Sequence, residues 1–508
     1  MNGKTQTKDL LLGIDIGTTG AKCTFYDFSG HAVSSGYQEY RMIHPKAGWT
    51  EQDPHKWWKC VCENIKVCID GDGIDTSRVA AVAVSSTNAV MLAGKDGSVI
   101  YNGVGLHDQR AEPQVAWINE HVGKETVLKY TGNKIAKGSF ALPTLRWFLD
   151  NRPELIEKTE KFLIPNGWII YKLTGEFSID RPRSGLTLLN DLKSGEWAQE
   201  IVQKAGIPEN ILPKIYASSE IVGEVSAQAA KACGLAKGTP VCAGAIDTVA
   251  ATLGAGAVNS GDCAITIGSS GRIALVSNKP FYDPKVLSTP GIDSSQFLAV
   301  QTTDNAGISL KWFRDTFGKM VLQDSINAGI SIYEQMNRLC AATTPGSGGL
   351  IYLPYLSGEK SPIWNTDARG VFFGIGITTS YSDFIRAVME GVAYSIRDCL
   401  EAVPAVESSD PDAPVPIGGG AARSQVWCQI FSDVLKRPVI QLLDDETETL
   451  GDAIIAAQAA GVCSMPPDFG KILARKGKII EPRRQFANLY DEGFCKYKAL
   501  YQAVKPLY

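Results

Sequence analysis

Two short apolar runs, each ending in a glycine-flanked turn, mark the chain. The first, Leu10–Ile16 (LLLGIDI), stops at Gly17-Thr18-Thr19-Gly20. An apolar, partly β-branched run bounded by turn residues predicts a strand entering a tight turn, with Lys22–Phe28 as the returning strand. The second run, Cys263–Ile267 (CAITI), stops at Gly268-Ser269-Ser270-Gly271 and is followed by Ile273–Val276. The same strand–turn–strand device thus recurs about 250 residues on, close to half the chain, which suggests two similar halves. Between and after them strands alternate with helices, the pattern of an α/β fold. Val79–Val84 reads as a buried strand, and Pro113–His121 and Pro153–Thr159 read as helices, the latter with proline in its first turn. In Tyr381–Ala402 the residues Phe384, Ile385, Val388, Met389, Val392, Ile396 and Leu400 fall on one broad helical face. Another helix spans about Leu450–Ala460. The small-residue stretch AATLGAGAVNSG places a domain boundary near residues 250–262, giving domains 1–255 and 256–508.

Composition narrows the function classes. The 508 residues carry 50 Lys+Arg against 54 Asp+Glu, a net charge of −4, so no excess of positive charge is available to neutralise a polyanion. Nucleic acid is therefore not an expected partner. Apolar residues at 44% and charged residues at 20% fit an ordinary globular protein. No apolar run reaches the roughly 18–20 residues that span a bilayer, so no membrane association is expected. Met1–Asp9 is polar, lacks the apolar core of a signal peptide, and reads as a loose leader. The 12 cysteines are scattered singly in apolar stretches with no zinc-like spacing. They read as buried hydrophobes in a reducing, cytoplasmic setting.

Five places could carry chemistry. Asp15 is a carboxylate in an apolar strand, costly to bury unless paired or metal-bound. Beside the Thr18–Thr19 turn it suits a phosphate and Mg²⁺, although a strand-end aspartate can equally cap its own turn. Gly268, Ser269 and Ser270 form a second such turn; neither is a P-loop. Asp247 ends the run TPVCAGAID, where it reads either as a general base or as the N-cap of the following helix. Gly418-Gly419-Gly420, before Ala421, offers bare backbone to a flat ring, or is a loose connector. His107-Asp108-Gln109-Arg110 could bind hydroxyls or make surface ion pairs.

Together these residues resemble the FGGY carbohydrate kinases of the actin-like ATPase superfamily, from Leu12 to about Tyr490. The block Gly370–Ile375, then Asp383-Phe384 and Ala387–Glu390, fits the family's C-terminal signature at every defined position. Trp49–Pro54 (WTEQDP), Leu353–Glu359 (LPYLSGE) and Gly418–Ser424 (GGGAARS) also match. The resemblance implies two ribonuclease-H-like domains with a cleft between them and ATP-dependent phosphorylation of a sugar or polyol hydroxyl. It implies that Asp247 deprotonates the attacking hydroxyl and that Asp15 helps hold Mg²⁺. Thr18–Thr19 and Gly268–Ser270 would hold phosphates, Gly419, Gly420 and Ala421 the adenosine, and Asp108 the sugar hydroxyls. Partners are then the sugar and ATP; a homodimer is left open, since the sequence does not give oligomeric state.

The departures lie where the sugar is chosen. Xylulokinases usually carry Gln-Met-His-Gly after the strand matching Val79–Val84, and gluconate kinases a related Met-His-Ser. Here Ser85–Ala89 (SSTNA) puts Thr87 and Asn88 in place of Met and His. Asn88 can still donate to and accept from a polyhydroxylated ligand. Leu106-His107-Asp108-Gln109-Arg110 lacks the usual Trp, and Thr144 replaces the usual Lys. Asn305–Arg314 looks more like the gluconate-kinase branch. A ketopentose such as xylulose is the expected substrate. A gluconate or polyol kinase, an ATPase doing conformational work, and a catalytically silent sugar-binding regulator are the alternatives.

Overall fold

The computed structural model of the chain describes residues 8–136, 138, 140–404, 406, 410, 412–443, 446–462 and 477–508. Most of the expected polar leader, residues 1–7, lies outside them. The described residues form two compact units. One holds those of Met1–Val258, Val276–Leu298 and Glu446–Leu473, and the other those of Asn259–Leu275, Ala299–Asp445 and Ala474–Tyr508. The division is not a single cut: the helix Thr447–Ala459, late in sequence, packs in the first unit.

The first unit is built on a mixed sheet with strands in the order Ile221–Glu224, Pro240–Cys242, Val79–Ser86, Leu10–Ile16, Gly20–Asp27 and Ala32–Glu39. The expected hairpin is present, with Ile16 opposite Ala21 across the turn. Leu10–Ile16 and Val79–Ser86 run parallel and are buried nearly throughout, as near-continuous apolar strands in a covered sheet should be. On one face lies the helix Pro54–Asp72, started by Asp53, which accepts the amide of His55, and stopped at Gly73. On the other, the helices Asp247–Gly254 and Thr447–Ala459 pack closely; a methyl group on Gly451 would meet the carbonyl oxygen of Ala250. The core joins Leu12, Ile14, Val61, Val82, Val84 and Trp168. A second cluster, around Leu92, Phe148 and Phe162, sits behind a smaller four-stranded sheet.

The second unit repeats the plan. Cys263–Ile267 pairs antiparallel with Gly271–Ser277 and parallel with Val415–Gly418, which pairs in turn with Val439–Gln441 and that with Lys478–Ile480. The expected amphipathic helix runs over Tyr381–Glu401. Ser380 and Asp383 form its capping box, so Asp383 satisfies backbone donors as well as the helix dipole. Inside it Arg386 and Glu390 form a buried ion pair at 2.7 Å, and Glu390 also accepts the Gly346 amide and the Ser347 and Tyr490 hydroxyls.

Among the described residues no helix is long and apolar enough to cross a membrane. The described cysteines are free and, Cys495 apart, buried.

Candidate active site

Parallel pairing decides where the chemistry gathers in the first unit. Asp15 pairs with Ser85 and Ile16 with Ser86, while Ala245 and Ile246 pair with the same two serines from the other side. Three strands therefore end at one level. Asp15, the turn Ser86–Asn88 and Asp247 leave their carboxyl ends together, which is where α/β sheets bind ligands. Gly244 permits the approach: its φ is +72°, and a Cβ there would lie 1.9 Å from the Val84 carbonyl oxygen. Asp247 is the first residue of its helix, with Ile246 at the N-cap position, so it does not serve as the helix N-cap. Its half-buried carboxylate accepts the Thr248 hydroxyl at 2.9 Å and interacts with the buried charge of Arg183.

Asp15 is half-buried and shares a hydroxyl with a residue that sequence reading did not single out. Ser85 Oγ lies 2.9 Å from Asp15 Oδ1 and 2.8 Å from Asp452 Oδ2. One hydroxyl proton serves only one of these carboxylates at a time. Burial pushes Asp452 well above the usual carboxylate range, and the charge of Asp15 adds to the shift. The second oxygen of Asp452 is buried with no hydrogen-bond partner among the described residues. Among those residues no group of three or more His, Cys, Asp and Glu could hold a metal by itself. The half-buried Asp15 nevertheless fits Mg²⁺, which keeps most of its ligands as water and substrate phosphate and needs one or two carboxylates from the protein, while the fully buried Asp452 lies behind it through Ser85.

The sugar-side candidates are more deeply set. Thr87 and Asn88 are buried, with Thr87 Oγ1 3.4 Å from Thr18 Oγ1 and Asn88 Nδ2 donating to the Gly138 carbonyl at 3.0 Å. Thr18 is half-buried and Thr19 exposed. The turn between them is pinned from below, since Gln52 Nε2 donates to the Thr18 carbonyl at 2.6 Å and the Tyr40 hydroxyl donates to the Gly17 carbonyl. Asp108 is buried, and both its oxygens are already used. One takes the Arg110 amide and Nε, each at 2.9 Å; the other takes the Thr50 amide at 2.6 Å and Arg110 Nη2 at 2.9 Å. Arg110 also binds Glu51 at 2.8 Å and lies 3.9 Å over the Trp49 ring. The WTEQDP block thereby acquires a physical reason: its residues stack on Arg110, bind it, hold Asp108, pin the Thr18 turn and start a helix.

Beneath Thr87–Asn88 lies a second unforeseen group. The buried Arg183 donates through Nη2 to the Ser86 carbonyl at 2.5 Å and the Thr87 carbonyl at 3.1 Å, while Nη1 faces Asn88 Oδ1 at 3.5 Å. Asp180 accepts the Arg183 amide at 2.7 Å and Asn166 Nδ2 at 2.7 Å. Burial raises Asp180 to about 6, with the charge of Arg183 opposing the shift. The sequence DRPRSG does not mark which arginine is buried: Arg181 reaches instead to the carbonyls of Asp293 and Ser294. Asp452 did carry a signal, being a charge within the small apolar helix Thr447–Ala459.

In the second unit Gly268, Ser269 and Ser270 are exposed. Their turn rests on the start of the helix Gly307–Phe317, whose first amides donate to it: Gly307 N to the Gly268 carbonyl at 2.9 Å and Ile308 N to that of Ser269 at 3.0 Å. Thr266 pairs with Gly418, so the glycine run lies beside the turn. Gly419 has φ +79°, and a Cβ on it would come within 2.6 Å of the Ile267 carbonyl oxygen. Gly420 is exposed, and Ala421 is buried in the single helical turn Gly420–Arg423. The bare backbone expected from the sequence is thus presented at the same strand ends as the serine turn.

Comparison with known proteins bears on the family and the fold. Residues 10–254 match the N-terminal domain of the FGGY family of carbohydrate kinases, and residues 263–460 match its C-terminal domain. The chain is 29% identical to the xylulose kinase of Bacillus subtilis (strain 168) over 98% of this chain and 97% of that one. It is 30% identical to the gluconokinase of the same organism over 89% of this chain and 88% of that one. A crystal structure of ligand-bound xylulose kinase from Lactobacillus acidophilus superposes with a TM-score of 0.88 at 26% identity, covering 98% of each chain. Two family domains in order, on an actin-like two-domain fold, show that the chain belongs to the FGGY family of carbohydrate kinases and is a sugar kinase that takes its phosphate from ATP.

Proposed function

We propose that the chain phosphorylates a hydroxyl of a ketopentose such as xylulose, with Asp247 as the general base. The observation that carries this reading is the convergence of Asp15, Thr87–Asn88 and Asp247 at three adjacent strand ends. Phosphoryl transfer asks little covalent chemistry of the protein; it needs an aligned nucleophile, offset phosphate charge and exclusion of water. Asp247 takes the proton of the attacking hydroxyl at a carboxylate oxygen, the other oxygen being steadied by Thr248. Thr87 and Asn88 meet sugar oxygens, and Asp108 serves them by fixing Arg110 and the Thr50 backbone. Thr18–Thr19 and Gly268–Ser270 bind phosphate oxygens, while Gly419, Gly420 and Ala421 lie against the adenosine. Asp15 would hold Mg²⁺, whose contribution when bound is to neutralise phosphate charge, with Asp452 behind it through Ser85.

A ketopentose is favoured over gluconate because the xylulose kinase relative aligns over nearly the whole chain and the gluconokinase over less of it. The test is ADP release with Mg-ATP across D- and L-xylulose, D- and L-ribulose, gluconate, erythritol, glycerol and a blank without sugar. The expected result is a rate that depends on a ketopentose. A larger rate with gluconate or a polyol would replace the substrate, and a rate equal to the blank throughout would overturn the reading.

A further inference from the structure

We propose that Arg183 is the specificity-setting residue of the sugar half-site, acting by locking the Ser86–Asn88 turn so that Asn88 presents one amide N–H to an oxygen of the sugar. The inference rests on the reading of Thr87–Asn88 as sugar-facing. A side-chain amide has two N–H donors and one acceptor oxygen. At Asn88 the oxygen faces Arg183 Nη1 and one N–H goes to the Gly138 carbonyl. What remains for a ligand is chiefly a donor, which selects an acceptor such as a hydroxyl or carbonyl oxygen. Arg183 fixes this outcome twice over. Its Nη2 bridges the Ser86 and Thr87 carbonyls, setting the backbone of the turn, and its Nη1 sets the sense of the Asn88 amide.

Only a planar fork can do both. A lysine ammonium is a point donor on a flexible stem and cannot hold two carbonyls and an amide oxygen in one plane. The fork is itself held in place, because Asp180 accepts the Arg183 amide and Asn166 steadies Asp180. Its charge is not offered to a ligand: Arg183 is 3% exposed and interacts with Asp180 and Asp247. The guanidinium that backs this turn is therefore spent on the turn itself and on neighbouring carboxylates.

The test uses the full-length enzyme with Arg183→Lys, Asn88→Ala and the double variant, the substrate being whichever sugar the wild type turns over. Arg183→Lys is expected to raise the sugar KM at least tenfold while leaving the ATP KM within twofold. The losses in kcat/KM of the two single variants are expected not to multiply, because both remove the same oriented amide. Asn88→Asp, which keeps an acceptor for Arg183 but loses both N–H donors, is expected to lose sugar affinity while leaving the ATP KM within about twofold. The proposal is overturned if Arg183→Lys leaves the sugar KM unchanged, if sugar and ATP KM rise together, or if the single losses multiply. A wild type without any sugar-dependent rate would instead remove the underlying functional reading, and this inference with it.

Discussion

The two units solve the same local problem with different materials. Each has a strand hairpin whose first strand is also paired in parallel, and each places a small hydroxyl-bearing turn at that strand's end. In the first unit the turn is backed by ionisable and polar side chains: Asp15, Ser85, Asp452, Gln52 and Tyr40. In the second it is backed by main chain, through the amides of Gly307 and Ile308, with Gly419 alongside. Side-chain charge can move protons and hold a cation. The Gly307 and Ile308 amides, spent on the turn's own carbonyls, hold its shape without titrating, and Gly419 leaves bare backbone beside it. The same strand–turn–strand device is thus backed by titratable side chains in one unit and by main chain in the other.

The largest expected effect of breaking this contrast lies away from either turn. Glu390→Gln leaves the buried Arg386 without its anion, and removing one partner of a buried ion pair typically costs about 3–5 kcal/mol. Chemical denaturation should show that loss in the second unit, while KM values of the folded fraction stay near those of the wild type.

Next comes pH. Glu359, in the second unit, accepts the Thr303 hydroxyl and the Asp304 and Lys360 amides, yet burial raises it from 4.5 to about 7. The folded state therefore binds the proton more tightly than the unfolded one. Stability is fullest below about pH 4.5 as far as this group is concerned, and falls as pH rises through about 7. The span corresponds to at most about 3 kcal/mol. Glu359→Gln should flatten that slope, measured by denaturation midpoints at pH 5 and pH 8.

Paired glycine variants sharpen the comparison directly. Gly419→Ala and Gly244→Ala each put a Cβ against a backbone carbonyl at positive φ, a strain of about 1–3 kcal/mol. Gly419→Ala should raise the ATP KM and spare the sugar KM. Gly244→Ala, which lies just before Asp247, should lower kcat and spare the ATP KM. The smallest effect is expected for Asp15→Asn, which should raise the half-saturating Mg²⁺ concentration about tenfold, close to 1.4 kcal/mol. Mn²⁺ binding followed by electron paramagnetic resonance reports this independently of turnover.

Local pattern carried much of the architecture. Leu10–Ile16 and Cys263–Ile267 are strands with the bounds expected, because an apolar run cut off by Gly-Thr-Thr-Gly or Gly-Ser-Ser-Gly has few other places to go. The helix over Tyr381–Glu401 followed from its periodicity. The segment from Pro113 to His121 begins as the short helix Glu112–Ile118 and widens into a π-turn over Asn119–Gly123, a change of winding that periodicity does not encode. Asp15 and Asp247 stood out as candidates because a carboxylate closing an apolar strand within three residues of a glycine is a local oddity. Arg183 did not stand out, since its partners Ser86 and Asn88 lie nearly a hundred residues away, and Asp452 showed only as a charge in an apolar helix, its link to Ser85 appearing once the chain is folded. The signature around Glu390 was recognised as a pattern, but its reason, a buried ion pair with Arg386 within the Tyr381–Glu401 helix, appears only once the chain is folded.

The most direct test of the central claim compares the wild type with Asp247→Asn, measuring kcat with the preferred sugar and ATP affinity by equilibrium titration. If Asp247 takes the proton from the attacking hydroxyl, kcat should fall about 10²–10⁴-fold while ATP affinity stays within about twofold. A variant that keeps its kcat would contradict that role and move the base elsewhere in the first unit.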